Sequence, residues 1–109
     1  MKYFNKKTVV DGIEFDSKKE SIRYKELKLL ERSGLIKNLQ LQVKFELQPS
    51  FKKNGKTYRA ITYIADFVYT EKKGQKVIED SKGYETEVFK IKRKMFEYKY
   101  PDYELKIVK

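Results

Sequence analysis

A chain of 109 residues, with 39% hydrophobic and 15% aromatic residues, suits one folded domain and is too apolar for a disordered segment. Its 26 Lys and Arg against 16 Asp and Glu leave a formal charge of +10, which favours a polyanionic partner, nucleic acid ahead of phospholipid, over a merely solubilising surface. The sequence contains neither Cys nor His, which excludes disulfides, thiol catalysis, zinc ribbons and every His-based nucleophile or general base, so any chemistry must use carboxylates, lysines or hydroxyls.

Met1 to Phe15 carries no apolar run of the signal-peptide kind, and no stretch reaches membrane-spanning length, so the expected location is the cytoplasm. Thr8 to Phe15 reads as a hairpin turning at Asp11-Gly12. Ser17 opens a helix whose apolar positions are Ile22, Tyr24, Leu27 and Leu30, and Gly34 stops it. Leu39 to Phe51 alternates, with Leu39, Leu41, Val43, Phe45 and Leu47 assigned to one buried face. Asn54-Gly55 marks a turn, and Thr57 to Thr70 forms a second strand, apolar on both faces at its centre. A turn around Gly74 leads to a third strand, Lys76 to Lys82, which Gly83 ends. Glu85 to Lys99 reads as a helix with a stripe of Val88, Ile91, Met95 and Tyr98; Pro101 closes it and Tyr103 to Val108 is a last strand. The predicted fold is a single mixed α/β (α+β) domain: an N-terminal hairpin, a helix, a three-stranded meander, a helix and a strand.

The hairpin joining the second and third strands carries the chemistry. With residue 73 at its centre, Asp66 stands opposite Asp80, and opposed side chains lie about 4.5–5.5 Å apart at Cβ. Two such carboxylates require a cation between them, or a proton on one. Lys82, two residues past Asp80, points to the same side, and Ile64, Val68 and Ile78 are assigned to that face. Taken singly, Asp66 could mark a bulge, and Asp80 with Lys82 a surface ion pair; together they interrupt an apolar segment as a site would. Glu20 completes a Ser17-x-x-Glu20 capping box, and it also lies on the inward stripe of its helix, where it could hang over the same cluster.

These residues resemble a known family. Asp66 followed by Asp80-Ser81-Lys82 resembles the PD-(D/E)xK motif of the restriction-endonuclease-like nucleases, with Ala65 where Pro is common and Asp80 where Glu is commoner. Phe15-Asp16-Ser17-Lys18-Lys19-Glu20, Tyr63-Ile64-Ala65-Asp66-Phe67 and Glu79-Asp80-Ser81-Lys82-Gly83 resemble a group of small phage and prophage nucleases across almost the whole chain. The resemblance implies a restriction-endonuclease-like core and a phage- or prophage-encoded endodeoxyribonuclease working in a bacterial host. It implies that Asp66, Asp80 and the Ser81 backbone carbonyl bind Mg²⁺ or Mn²⁺. Lys82 would activate the attacking water and steady the phosphate charge. Glu20 matches an acidic residue of the first helix, in contact with the metal directly or through water. Gln42 falls where related nucleases place a glutamine, although strand alternation alone also explains it. DNA would be the substrate, with branched or recombining DNA suiting a chain too short for a separate sequence-reading domain, and a homodimer would suit two symmetric cuts.

The basic residues divide between two places. Thr86, Lys90, Arg93 and Lys94, with Lys92 beside them, lie on the second helix, and Lys52, Lys53 and Lys56 surround the Asn54-Gly55 turn. Both sets are candidates for phosphate contact, and both also read as solvated surface. Two alternatives stand beside the nuclease: a non-catalytic nucleic-acid-binding module, in which Asp66 and Asp80 would repel phosphate, and a protein-interaction factor built on a retired nuclease fold.

Overall fold

Asp11-Gly12 and Asn54-Gly55 both take left-handed backbone (φ 54 and 76; 53 and 74), the geometry of a type I′ turn, and each closes a hairpin where the sequence predicts one. The computed structural model describes residues 7–108. The first six residues of the Met1–Phe15 segment lie outside it. Its elements are β1 (Thr8–Val10), β2 (Ile13–Phe15), α1 (Lys18–Arg32), β3 (Ile36–Gln48), β4 (Phe51–Lys53), β5 (Lys56–Tyr58), β6 (Ile61–Glu71), β7 (Lys76–Ser81), α2 (Glu87–Lys99) and β8 (Glu104–Val108). The fold is mixed α+β, and no described helix is long and apolar enough to cross a membrane.

The central sheet has the order β3-β6-β7-β8. The first three strands form the antiparallel meander, and β8 joins parallel to β7, so α2 is the crossover between them. The meander is not made of two uninterrupted strands. Pro49, which has no N–H to give a ladder, and the Arg59-Ala60 segment break the long ribbon, and β4 and β5 pair beyond the break as a separate small hairpin.

Each face of the sheet carries one helix. Ser17 caps α1 by accepting the Glu20 N–H at 3.1 Å. Gly34, at φ 83, ends it with the paired bonds Leu35 N–H to Leu30 C=O and Gly34 N–H to Glu31 C=O. Tyr24 and Leu27 of α1 pack with Phe15, Ile36, Phe67, Tyr69 and Val77. On the other side, Phe89 and Phe96 of α2 pack with Phe45, Leu47, Tyr63, Ala65, Val68 and Ile78.

Four expectations about faces are corrected. Ile22 is exposed, because α1 buries Ser21 and Tyr24 on the neighbouring side of the helix. The assigned stripe of α2 is largely the wrong one: Val88 (62% exposed), Ile91 and Tyr98 (89%) face outward, and only Met95 of that set touches the core. Phe89 and Phe96, seven residues apart, win the buried side, where Phe96 meets the Phe45 ring edge-on at 5.1 Å. The third correction concerns β3. Val43, Phe45 and Leu47 face the α2 core, but Leu39 and Leu41 face the α1 core. Gln42 between them has φ 52, and this left-handed residue turns the strand over. Its neighbour β6 changes sides at the same level, since Tyr63 and Ala65 join the α2 core and Phe67 and Tyr69 the α1 core. Ile64, assigned to the face of Val68 and Ile78, is exposed.

Candidate active site

The level at which both strands turn over is where the acidic residues meet. β6 and β7 pair as Phe67↔Glu79, Val68↔Ile78, Tyr69↔Val77 and Thr70↔Lys76, the register that a centre at residue 73 requires. One step beyond the last pair, the side chains of Asp66 and Asp80 come within hydrogen-bonding reach of each other. The ladder ends there, and the Ser81 N–H donates to Asp66 Oδ2 at 2.9 Å instead of to a backbone carbonyl. Gln42, between Leu41↔Phe67 and Val43↔Ala65 on the other side of β6, brings its amide to 3.4 Å from Asp66 Oδ1 and 3.0 Å from Glu20 Oε2. Glu20 arrives from the first turn of α1, which Ser17 holds in place. Asp66, Asp80, Glu20 and Gln42 thus come from four different elements.

Asp80 is 1% exposed. Its Oδ2 accepts the Tyr63 hydroxyl at 2.7 Å and lies 3.3 Å from Lys82 Nζ. Lys82 is held over the Phe89 ring, 4.8 Å from its centroid. Tyr63 and Phe89 were not legible as site residues, because an aromatic in an apolar strand or helix reads only as core. Glu79, adjacent to Asp80, points to the opposite face. Arg23 grips both its oxygens, with Nη2 to Oε1 at 2.9 Å and Nε to Oε2, and the Tyr69 hydroxyl adds a bond of 2.7 Å to Oε1. Ser81 contributes its N–H to the cluster, while its hydroxyl is buried with no hydrogen-bond partner among the described residues.

The electrostatics follow from burial and crowding. Loss of solvent, then a hydrogen bond shared with Asp80, then the charges of Asp80 and Glu20 push Asp66 up to about 8, against the opposing Ser81 N–H. Burial also raises Glu20; a hydrogen bond with Asp66 opposes the shift, and the charges of Asp16 and Asp80 add to it. Burial and Asp80 together keep the Tyr63 hydroxyl protonated, so it acts only as a donor. Asp66 therefore holds its proton, shared through its hydrogen bond with Asp80, up to about 8 unless a cation replaces it.

This sharing has a measurable consequence. A carboxyl whose folded value lies above its ordinary 3.8 binds its proton more tightly folded than unfolded, so its stabilisation is complete below 3.8 and is lost as pH rises through about 8. In EDTA, the melting temperature of the wild type relative to Asp66→Asn is expected to fall across that window. Added Mg²⁺ is expected to restore it at the upper end, where it replaces the proton. A flat difference between the two proteins over the window would overturn this account.

The other candidate residues lie at varied distances. Thr86 caps α2 and lines, with Lys82, Tyr63, Ile64, Val88 and Lys92, a cleft of about 260 Å³ beside the cluster. Of the helix candidates Thr86 and Lys92 border this cleft, and Lys90, Arg93 and Lys94 do not. Lys90, Arg93 and Lys94 share a separate shallow depression with Glu85 and Glu97, and Lys90 and Arg93 pair with Glu87 and Glu85. Lys52, Lys53 and Lys56 stand on the exposed β4–β5 hairpin, away from the cluster along the ribbon. On the α1 side, Glu14 and Asp16 join Glu20 and Gln42 around a second cleft of about 250 Å³.

Residues 1–109, the whole chain, match one family. The chain belongs to the family described as protein of unknown function (DUF1064). No curated protein and no solved structure matches the chain. The family description assigns no activity, so the chemistry rests on the residues themselves. Among the described residues no three carboxylates converge on one ion-sized point. The carboxylates that do meet, Asp66 and Asp80 with Glu20 behind them, are hard oxygen groups, and the Gln42 amide nitrogen donates between Glu20 and Asp66. They fit a small divalent cation that keeps most of its own water, as Mg²⁺ and Mn²⁺ do.

Proposed function

We propose that this protein is a metal-dependent endonuclease of the PD-(D/E)xK type that hydrolyses phosphodiester bonds in DNA. The observation that carries the reading is the meeting of the Asp66 and Asp80 side chains, with Lys82 Nζ 3.3 Å from Asp80. The chain order of α1, the meander β3-β6-β7, α2 and β8 supports a restriction-endonuclease-like core. Asp66, Asp80 and the Ser81 carbonyl would hold Mg²⁺ or Mn²⁺, with Glu20 acting through water across the Gln42 amide. Such a cation would neutralise charge growing on the phosphate and lower the pKa of a bound water.

The chain's own groups do the remaining work. Tyr63 fixes the orientation of Asp80 by donating to one oxygen. Phe89 holds Lys82 at the mouth of the cleft, where its ammonium can orient the attacking water and meet a non-bridging phosphate oxygen. Thr86 and Lys92 line the same cleft and can contact the adjoining phosphate. Branched or recombining DNA is the substrate class that suits a chain of this size, and two copies acting together would make two symmetric cuts.

The test is cleavage of labelled four-way-junction, flap, single-stranded and linear duplex DNA in Mg²⁺, Mn²⁺ or EDTA, with wild type and Lys82→Ala side by side. Metal-dependent cutting by the wild type is expected, reduced by about 10²–10⁴-fold in the variant. Binding of DNA without cutting under every metal would replace this reading with a non-catalytic binding module.

A further inference from the structure

We propose that the β4–β5 hairpin is an arm that enters the major groove of duplex DNA within one helical turn of the phosphate held at Asp66 and Asp80. The inference rests on the DNA reading above and names the form of DNA that the site takes.

Residues 49–59 are exposed without a break. From Leu47 to Ala65 the chain contains no Asp or Glu, yet it carries Lys52, Lys53, Lys56 and Arg59. The radius of gyration is 16.0 Å, against about 13 Å for a compact domain of this length, as a projecting element requires. A lone two-stranded hairpin is marginal in water. This one is stiffened internally: Phe51 and Tyr58 stack at 4.8 Å with their planes 11° apart, and Lys56 lies over the Tyr58 ring at 5.1 Å. Its chemistry therefore points outward, away from the core.

The arm also contains an unrelieved repulsion. Lys53 and Lys56 are direct cross-strand partners, a pairing that destabilises a hairpin, and no carboxylate within the arm offsets it. A row of phosphates would. The shape narrows the partner further. The major groove of B-DNA, about 12 Å wide, admits a two-stranded ribbon, whereas that of duplex RNA is too deep and narrow to be entered. Lys56 lies ten residues before Asp66 along the ribbon. At about 3.3 Å per residue, and with the strand interrupted at Arg59-Ala60, the separation is at most roughly 33 Å, within the 34–36 Å repeat of the DNA helix. The tip and the acidic pair would thus reach one duplex within a single helical turn.

The experiment measures binding alone, by fluorescence anisotropy in EDTA, so it is independent of whether the protein cuts. Full-length wild type and the triple variant Lys52→Ser, Lys53→Ser, Lys56→Ser are titrated with labelled duplex DNA of about 8 and about 24 base pairs, and with duplex RNA of the longer length, over a range of salt. The variant is expected to bind the long DNA about 10–100-fold more weakly, with a salt slope lower by about 2–3, since each lost phosphate contact removes about 0.9. Its affinity for the short DNA and for the RNA is expected to match the wild type. Equal affinity and slope on the long DNA would overturn the proposal, as would an equal loss on short DNA or on RNA. Unchanged melting of the variant guards against a folding defect, and the arm carries no core residue whose loss would cause one. Failure to cleave any DNA in Mg²⁺ would defeat the nuclease reading and leave this binding result standing.

Discussion

Asparagine in place of Asp80 is expected to lower metal-dependent DNA cleavage by about 10³-fold or more while leaving the metal-free protein at least as stable as the wild type. The two effects have opposite signs for one reason. Asp80 is 1% exposed and faces Asp66, whose carboxyl is pushed up to about 8, so the pair is a liability to folding. Asparagine keeps an oxygen for the Tyr63 hydroxyl and removes one of the two crowded charges. It also removes a ligand that a cation needs. The Mg²⁺-dependent rise in melting temperature should therefore vanish together with cleavage. A variant that still cuts within tenfold of the wild type would remove Asp80 from the chemistry. A variant that loses several degrees of stability in EDTA would show that Asp80 serves the fold instead.

Replacing Arg23 by alanine is expected to cost about 3–5 kcal/mol of folding stability, the usual range for stranding one partner of a buried ion pair. Glu79 is 1% exposed, with Arg23 bound to both of its oxygens and the Tyr69 hydroxyl to one. The guanidinium is held firmly charged, above its ordinary value, chiefly by its bond to Glu79. Alanine would leave the carboxylate under α1 with only the Tyr69 hydroxyl. Urea unfolding at neutral pH measures the loss, and Arg23→Ala combined with Glu79→Gln should recover a large part of it. A loss below about 1 kcal/mol would show that water reaches Glu79 and that the pair behaves as a surface salt bridge.

Much of the site was legible because its signals are local. Counting outward from the turn around Gly74 gives the register that β6 and β7 take as far as Phe67↔Glu79, and Asp66 and Asp80 lie one step beyond that last pair. Ser17, Gly34 and the two X-Gly turns act through their own backbone and took their expected places. The failures have a common cause, which is that competing sequences of contacts were equally periodic. On α2, Val88-Ile91-Met95-Tyr98 is a sound helical stripe, but Phe89 and Phe96 offer more apolar surface, and the sheet selects them. Glu79 and Asp80 are adjacent carboxylates of similar type; only tertiary packing directs one to Arg23 and the other to Tyr63. The change of sides at Gln42 had no signal at all, since a glutamine at positive φ is not encoded in any short pattern.

The same turn at Gln42 has a consequence for how the molecule keeps to itself. Among the described residues, β3 is an outer strand of the sheet, 13 residues long and bordered by a partner only on the β6 side. A straight strand of that length would offer a template for another chain to add to. With Asn38 at φ 58 and Gln42 at φ 52, its open rim is interrupted twice, and its outward amides and carbonyls do not line up in one row. The residue that carries an amide to Asp66 thereby also spoils the rim as a seed for fibres. Replacing it by a residue that prefers a straight strand would be felt both in the acidic pocket and in the protein's tendency to aggregate.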